Sequence, residues 1–399
     1  MNKTLKLWIC LVVSVLAVSL AVPAVSEDMD DAQAWTALAE EAIRKEDYTS
    51  AFHYYELAAN AGDAQAQFIA GGCCYYGMGT EQSYEKAVEY LQMAADQGIA
   101  EAQVWLGSIY YYGFPAEQDL EKALKYLLQA ADRGNADAQQ MLGEMYFYGI
   151  GVEKSVETSM EYARKAAEQG NAQALYNLGW QYDTGVGVEQ DYGTALEYYL
   201  AAAEQGHGRA LANLGLMYEL GNGVPQSYEK AAEYYRSAAD QGDAIAQASL
   251  GMLYEFGDGV PQSYEKAAEL YQLAADQGDA AAQASLGLLY EFGDGVELSY
   301  EKALEYFSLS ADQGNSAGQW GMGQLYQFGL GVEVSYEKAA EYYQLSADQN
   351  DPDGLECLGY LYLNGLGVEQ STDRAMELYR LAAELGSEEA QQQLEIYGN

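Results

Sequence analysis

The sequence is poor in four kinds of residue, and each shortage removes a class of function. It has 2 histidines, His53 and His207, in 399 residues, too few for histidine-based metal centres or Ser-His-Asp constellations. It has 4 cysteines. Cys10 lies in an apolar N-terminal run, Cys73 and Cys74 are neighbours, and Cys357 is far from both, so no disulfide framework can be read and packing must hold the fold. Its 5 prolines leave long stretches free to be helical. Its 19 basic residues face 61 acidic ones, a net charge of −42. Such a chain repels phosphate, which argues against a nucleic-acid partner. No apolar run beyond the N-terminus is long enough to cross a bilayer, so no transmembrane segment is expected in a mature chain. With 49% hydrophobic residues the chain can still bury a large core.

The N-terminus has the layout of an export signal. Lys3 and Lys6 precede an apolar run from Leu7 to about Val22, and Pro23 leads to Ala24-Val25-Ser26 before an acidic start at Glu27. A basic region, an apolar core and small residues before a cut describe a secretory signal peptide over residues 1–26. The expected location is therefore periplasmic or extracellular. An uncleaved anchor is the alternative, since Leu7 to Val25 just reaches the span of a bilayer.

Glycine is plentiful, and its spacing organises the chain. Gly71, Gly107, Gly143, Gly179, Gly215, Gly251, Gly287, Gly323 and Gly359 recur every 36 residues, and a second ladder follows from Gly77 to Gly365. A third closes each unit, with Asn350 in place of one glycine. Nine units cover 63–386. In 243–278 the apolar residues Ala246, Leu250, Leu253 and Tyr254 form one helical stripe. Gly257-Asp258-Gly259-Val260 breaks it, and Ser263 caps a second helix from Tyr264 to about Gln277 with its own stripe at Ala267, Leu270, Tyr271, Ala274 and Ala275. Neither stripe can be buried within one hairpin, so stacking is required. The expected fold is all-α, an α-solenoid of helix-turn-helix repeats. Residues 27–62 form an N-terminal capping helix pair and 387–399 a C-terminal capping helix. The glycines inside the first helices predict a close approach of two helix backbones.

These residues resemble the Sel-1-like repeat family, a branch of the tetratricopeptide-like solenoids. The pattern A-x-A-Q-x-x-L-G-x-x-Y, G-x-G-V and Y-E-K-A-x-E-Y-Y-x-x-A-A-D-Q-G is almost complete in 243–278. The resemblance implies a right-handed superhelix and a role as scaffold or adaptor. Pro115 departs from the pattern where a loop glycine is usual, so that turn must differ.

The resemblance also raises an enzymatic alternative, because some cysteine-rich secreted relatives are linked to penicillin binding or hydrolysis. Ser-x-x-Lys occurs at Ser83, Ser227, Ser263, Ser299 and Ser335, as in penicillin-recognising enzymes. The same serines are also helix N-caps by position, and the partner motifs S-D-N and K-T-G are absent. The loop G-x-G-V lacks the lysine of a phosphate cradle. Asp258 and Asp294 lie in loops without a calcium-binding pattern. No cofactor, metal or catalytic residue is assigned. Cys73 and Cys74 occupy core columns and read as apolar filling, with a reactive or intermolecular thiol as the alternative.

Function must then lie at positions that vary between units. On the first helices these are the third, sixth, seventh, tenth and thirteenth of each unit, opposite the apolar stripe. They carry Phe68, Tyr75, Trp105, Tyr111, Tyr176, Trp180 and Trp320. These side chains either pack on neighbouring helices or form an aromatic strip for an extended peptide or protein. The acidic second helices, with Glu85, Glu89, Glu229, Glu233, Glu265 and Glu269, form a solvated face that would also steer a basic partner. The expectation is a monomeric, non-enzymatic scaffold. An envelope or secretion-linked structural protein is the third possibility.

Overall fold

The computed structural model describes residues 31–397, so the expected signal peptide lies outside the described residues. Among these residues there are 21 helices and no strand. The described residues fall into two compact units that divide between Gln190 and Asp191. Each unit is a run of antiparallel helix pairs repeating about every 36 residues.

The hairpin 243–278 shows how the sequence builds a pair. Asp243 caps Ala244–Phe256 by accepting the Ala246 N–H, and Ser263 caps Tyr264–Ala275 through the Lys266 N–H at 3.3 Å. Gly257 ends the first helix at φ +78, and Gly278 follows the second at φ +91, conformations that disfavour any side chain. The second helix stops two residues short of the expected Gln277. Gln262 Nε2 donates to the Glu255 carbonyl at 2.8 Å and so satisfies an orphan of the first helix end. The expected stripes are buried, except that Leu270 is only partly so and Ala268 joins the core.

Close backbone approach is present, but eight residues beyond the expected glycine. A Cβ at Gly259 would lie 2.2 Å from the Tyr228 carbonyl carbon, and one at Gly295 would lie 2.2 Å from that of Tyr264. Each loop is thus seated on the start of the preceding repeat's second helix. Inside the first helix the neighbour is instead a side chain. A Cβ at Gly251 would meet the Tyr271 ring at 2.8 Å, and at Gly107 the Leu127 side chain at 2.7 Å. These glycines make room for a large residue of the second helix. Gly143 differs: Ala163 stands at the matching place, and the nearest atom is the Ser159 carbonyl oxygen at 3.3 Å.

The pair Asp31–Arg44 and Tyr48–Asn60 opens the described chain, and Glu388–Tyr397 closes it. The turn at Pro115 does differ from the others, with a cis Phe114–Pro115 peptide.

Candidate functional site

The tyrosine columns are structural. Tyr110, Tyr146, Tyr218, Tyr290 and Tyr326 stack nearly parallel on Tyr126, Tyr162, Tyr234, Tyr306 and Tyr342 of the second helices, with ring centres 5.6–6.1 Å apart. In four of the five Ser-x-x-Lys copies the lysine lies over the first-column tyrosine, and in the fifth that column holds Cys74. Lys230, Lys266, Lys302 and Lys338 sit 4.8, 4.8, 4.5 and 4.7 Å from the centres of Tyr218, Tyr254, Tyr290 and Tyr326, a cation–π arrangement. The hydrogen bond to the Tyr290 hydroxyl holds the Lys302 pKa above its ordinary value. The serine oxygens accept the backbone N–H three residues on, at 3.3–3.4 Å, in all five copies. Ser227, Ser263, Ser299 and Ser335 also donate to the glutamate two residues on. In the four copies at Ser227, Ser263, Ser299 and Ser335 the serine serves as a cap and the lysine is held on a ring.

The variable face brings three of the expected aromatics together. Trp105 meets Phe68 edge-on at 6.0 Å and Tyr75 at 5.2 Å, and Tyr76 joins it at 6.0 Å. Tyr75 also packs on Tyr84 at 5.1 Å, and Tyr84 on the exposed Phe114 at 5.4 Å. All these first-helix rings are half-buried, so the cluster keeps an accessible edge. Burial, with the Tyr84 hydroxyl second, pushes the Tyr75 phenol up. Trp180 belongs to a second cluster, edge-on to Phe147 at 5.8 Å, with Lys154 over the Phe147 ring at 5.6 Å. Tyr176 is half-buried on the same helix as Trp180. Tyr111 packs edge-on against the exposed Tyr112 at 4.9 Å, and burial and Glu144 raise its pKa. Trp320 lies in the second unit, against the core of Tyr343, Leu358 and Tyr379. Phe147 and Tyr76 were missed in the sequence. Phe147 occupies the same thirteenth position as Tyr75 and Tyr111 and was open to the same reasoning.

In the second unit this face carries a chain of polar contacts. The Tyr235 hydroxyl donates to Glu219 and the Tyr271 hydroxyl to Glu255, both at 2.6 Å, and Tyr343 donates to Gln327 at 2.7 Å. Ser249 and Ser285 of the following repeats bond to the first two hydroxyls. In repeat 279–314 the ring is Phe307, and Gly321 stands where the serine would be. Glu291 is left 6% exposed with Oε2 unpartnered, and burial pushes its carboxyl up to about 7. Among the described residues Cys73, Cys74 and Cys357 are free. Burial raises the thiols of Cys73 and Cys357 to about 12 and that of Cys74 above its ordinary range, which makes them poor nucleophiles. No described helix is long and apolar enough to cross a membrane.

The family model described as Sel1 repeat matches ten stretches, 31–63, then seamlessly from 64–99 to 316–351, and 358–387. The first match falls on the pair expected as a cap. Comparison with curated proteins gives no match. Among solved structures, a protective antigen present in uropathogenic Escherichia coli strains, displaying an SLR fold, is 31% identical with a TM-score of 0.77, over 92% of this chain and 83% of that one. A Sel1 repeat protein from Oxalobacter formigenes is 32% identical with a TM-score of 0.56, over 61% of this chain and 96% of that one. A 36-residue helical hairpin recurs through the described chain, with serine or aspartate capping its second helix, and the family model matches nearly all of it: the protein belongs to the Sel1 repeat family.

Proposed function

We propose that the chain is an exported, monomeric, non-catalytic scaffold that captures an extended segment of a basic protein or peptide. One observation carries the reading: Trp105, Phe68, Tyr75 and Tyr76 converge from successive first helices into a half-buried aromatic cluster. Aromatic rings held rigid by their neighbours but open at one edge are efficient anchors, because little side-chain freedom is lost on binding. The −42 charge and the exposed Glu85, Glu89, Glu229, Glu233, Glu265 and Glu269 would speed the encounter with a basic partner. The N-terminal pattern of residues 1–26 supports export, and the pair within 31–63 would close the first face of the stack. Among the described residues no side-chain arrangement favours the enzymatic or the envelope-structural alternative over this one.

The test is affinity capture with the chain from Glu27 onward, followed by identification of what elutes. Trp105→Ala and Trp180→Ala should each lower capture by about tenfold or more, with unchanged helicity by circular dichroism. Capture should weaken as salt rises. Undiminished capture by both variants would reject the aromatic site.

A further inference from the structure

Six repeats carry glutamine at the fifth position, and five of these also carry it at the thirty-fifth. In all five the two amides pair. Gln97 Nε2 donates to Gln67 Oε1 at 2.8 Å, and the same 2.8 Å bond joins Gln169 to Gln139, Gln277 to Gln247, Gln313 to Gln283 and Gln349 to Gln319. The amides of Gln67, Gln139, Gln247 and Gln283 also donate to the preceding repeat, as Gln103 Nε2 does to the Ala95 carbonyl at 3.0 Å. The pair thus clamps consecutive repeats while leaving no buried amide oxygen unmatched.

Repeat 99–134 breaks this pattern. Arg133 stands where the partner glutamine should be. Its guanidinium lies across Gly98, so close that a methyl group there would meet Nη2 at 2.7 Å. Gln103 is 2% exposed, and its Oε1 has no hydrogen-bond partner. A cleft of ≈ 380 Å³ opens at this point, lined by Ala95, Asp96, Gln103, Gln129, Asp132 and Arg133. A buried amide oxygen without a donor is unfavourable, and the five intact pairs show how the fold otherwise supplies one.

We propose that this cleft binds a primary ammonium group. Gln103 Oε1 needs a donor, and the two carboxylates of Asp96 and Asp132 outnumber the one guanidinium, so the fitting donor is cationic. An ammonium has three N–H groups and no acceptor, which matches an amide oxygen flanked by carboxylates. A carboxylate ligand would have only Arg133 and would meet both aspartates. The ammonium comes from a lysine of the partner or from a free alkylamine. The first source deepens the reading of a basic partner, while the second is independent of it.

The probes are cadaverine, a short peptide with one lysine, and the same peptide with norleucine in its place, each titrated calorimetrically into the purified protein at low salt. Arg133→Gln separates this site from general electrostatics. It removes a positive charge, so a diffuse field predicts tighter amine binding. The proposal predicts binding about tenfold weaker, because the introduced amide donates to Gln103 Oε1 and closes the clamp. Gln103→Leu, which copies Leu175, Leu211 and Leu355 at the same repeat position, should weaken binding to a similar degree. Saturable binding of cadaverine alone assigns a free amine, and binding of the lysine peptide but not the norleucine peptide assigns a partner's lysine. No saturable binding of either amine, or Arg133→Gln binding as tightly as the parent, would overturn the proposal. Neither result depends on Trp105 or Trp180.

Discussion

Repeats 243–278 and 279–314 share one backbone plan and differ at nine side chains, and one of these exchanges, Tyr271 against Phe307, decides whether a neighbouring glutamate has a donor. In both, a serine caps the second helix at 3.3 Å. In both, a loop glycine is seated 2.2 Å, counted from a built Cβ, off a tyrosine carbonyl carbon. Their lysines lie over the matching rings at 4.8 and 4.5 Å. Yet Tyr271 donates to Glu255 at 2.6 Å, whereas Phe307 has nothing to offer Glu291, whose Oε2 is buried and unpartnered. A backbone fixed by turn glycines and caps does not shift to absorb a side-chain exchange. The exchange therefore appears as a local chemical difference. The same logic produced the cleft at Arg133, where one altered column frees a buried amide oxygen.

The largest expected effect breaks what the twins have in common. Gly251→Leu and Gly287→Leu should each destabilise by about 3 kcal/mol or more in denaturant unfolding, because the ring of Tyr271 or Phe307 already fills the space. Helix propensity alone predicts the opposite sign. Gly143→Ala is the control. Its nearest neighbour stands at 3.3 Å beside the small Ala163, so that change should be near neutral.

Next come exchanges that swap the identities of the twins. Tyr271→Phe should cost about 1–3 kcal/mol at pH 8 by orphaning Glu255, and Phe307→Tyr should return a similar amount by supplying Glu291 with a donor. The pH profile sharpens the contrast. Glu291 has its folded pKa raised from 4.5 to about 7, so between these values the folded chain keeps a proton that the unfolded chain has released. Its contribution to stability is complete below about pH 4.5 and is lost as pH rises to about 7, on the order of 3 kcal/mol in all. Phe307→Tyr should flatten that decline. The smallest effect is shared again: Ser263→Ala and Ser299→Ala should each cost about 1 kcal/mol through loss of the cap and leave partner capture unchanged.

The hairpins were legible because glycine, serine and the apolar stripes act locally. A positive φ, a cap and a helical period can each be read within a few residues. The packing between helices was legible only in part. Gly251 announced a tight place, but whether a backbone or the Tyr271 ring filled it depends on a residue 20 positions away. The A-x-A-Q motif was visible as a pattern, while its role required knowing that Gln247 and Gln277 meet. Glu291 was hidden for the same reason: among exposed glutamates it looks ordinary until Phe307 is placed beside it. Of the seven aromatic residues expected on the variable face, Phe68, Tyr75 and Trp105 form one cluster. Trp180 instead joins Phe147, and Trp320 lies in the other unit.

The central claim is that the repeats hold one backbone and differ through the side chains exchanged on it. Chemical denaturation of the parent and Phe307→Tyr at pH 5 and pH 8 tests this most directly. The account predicts nearly equal stabilities at pH 5 and a clear advantage for the tyrosine variant at pH 8. Equal stabilities at both values, or a loss in the variant, would show that the repeat rearranges around its side chains and would contradict the account.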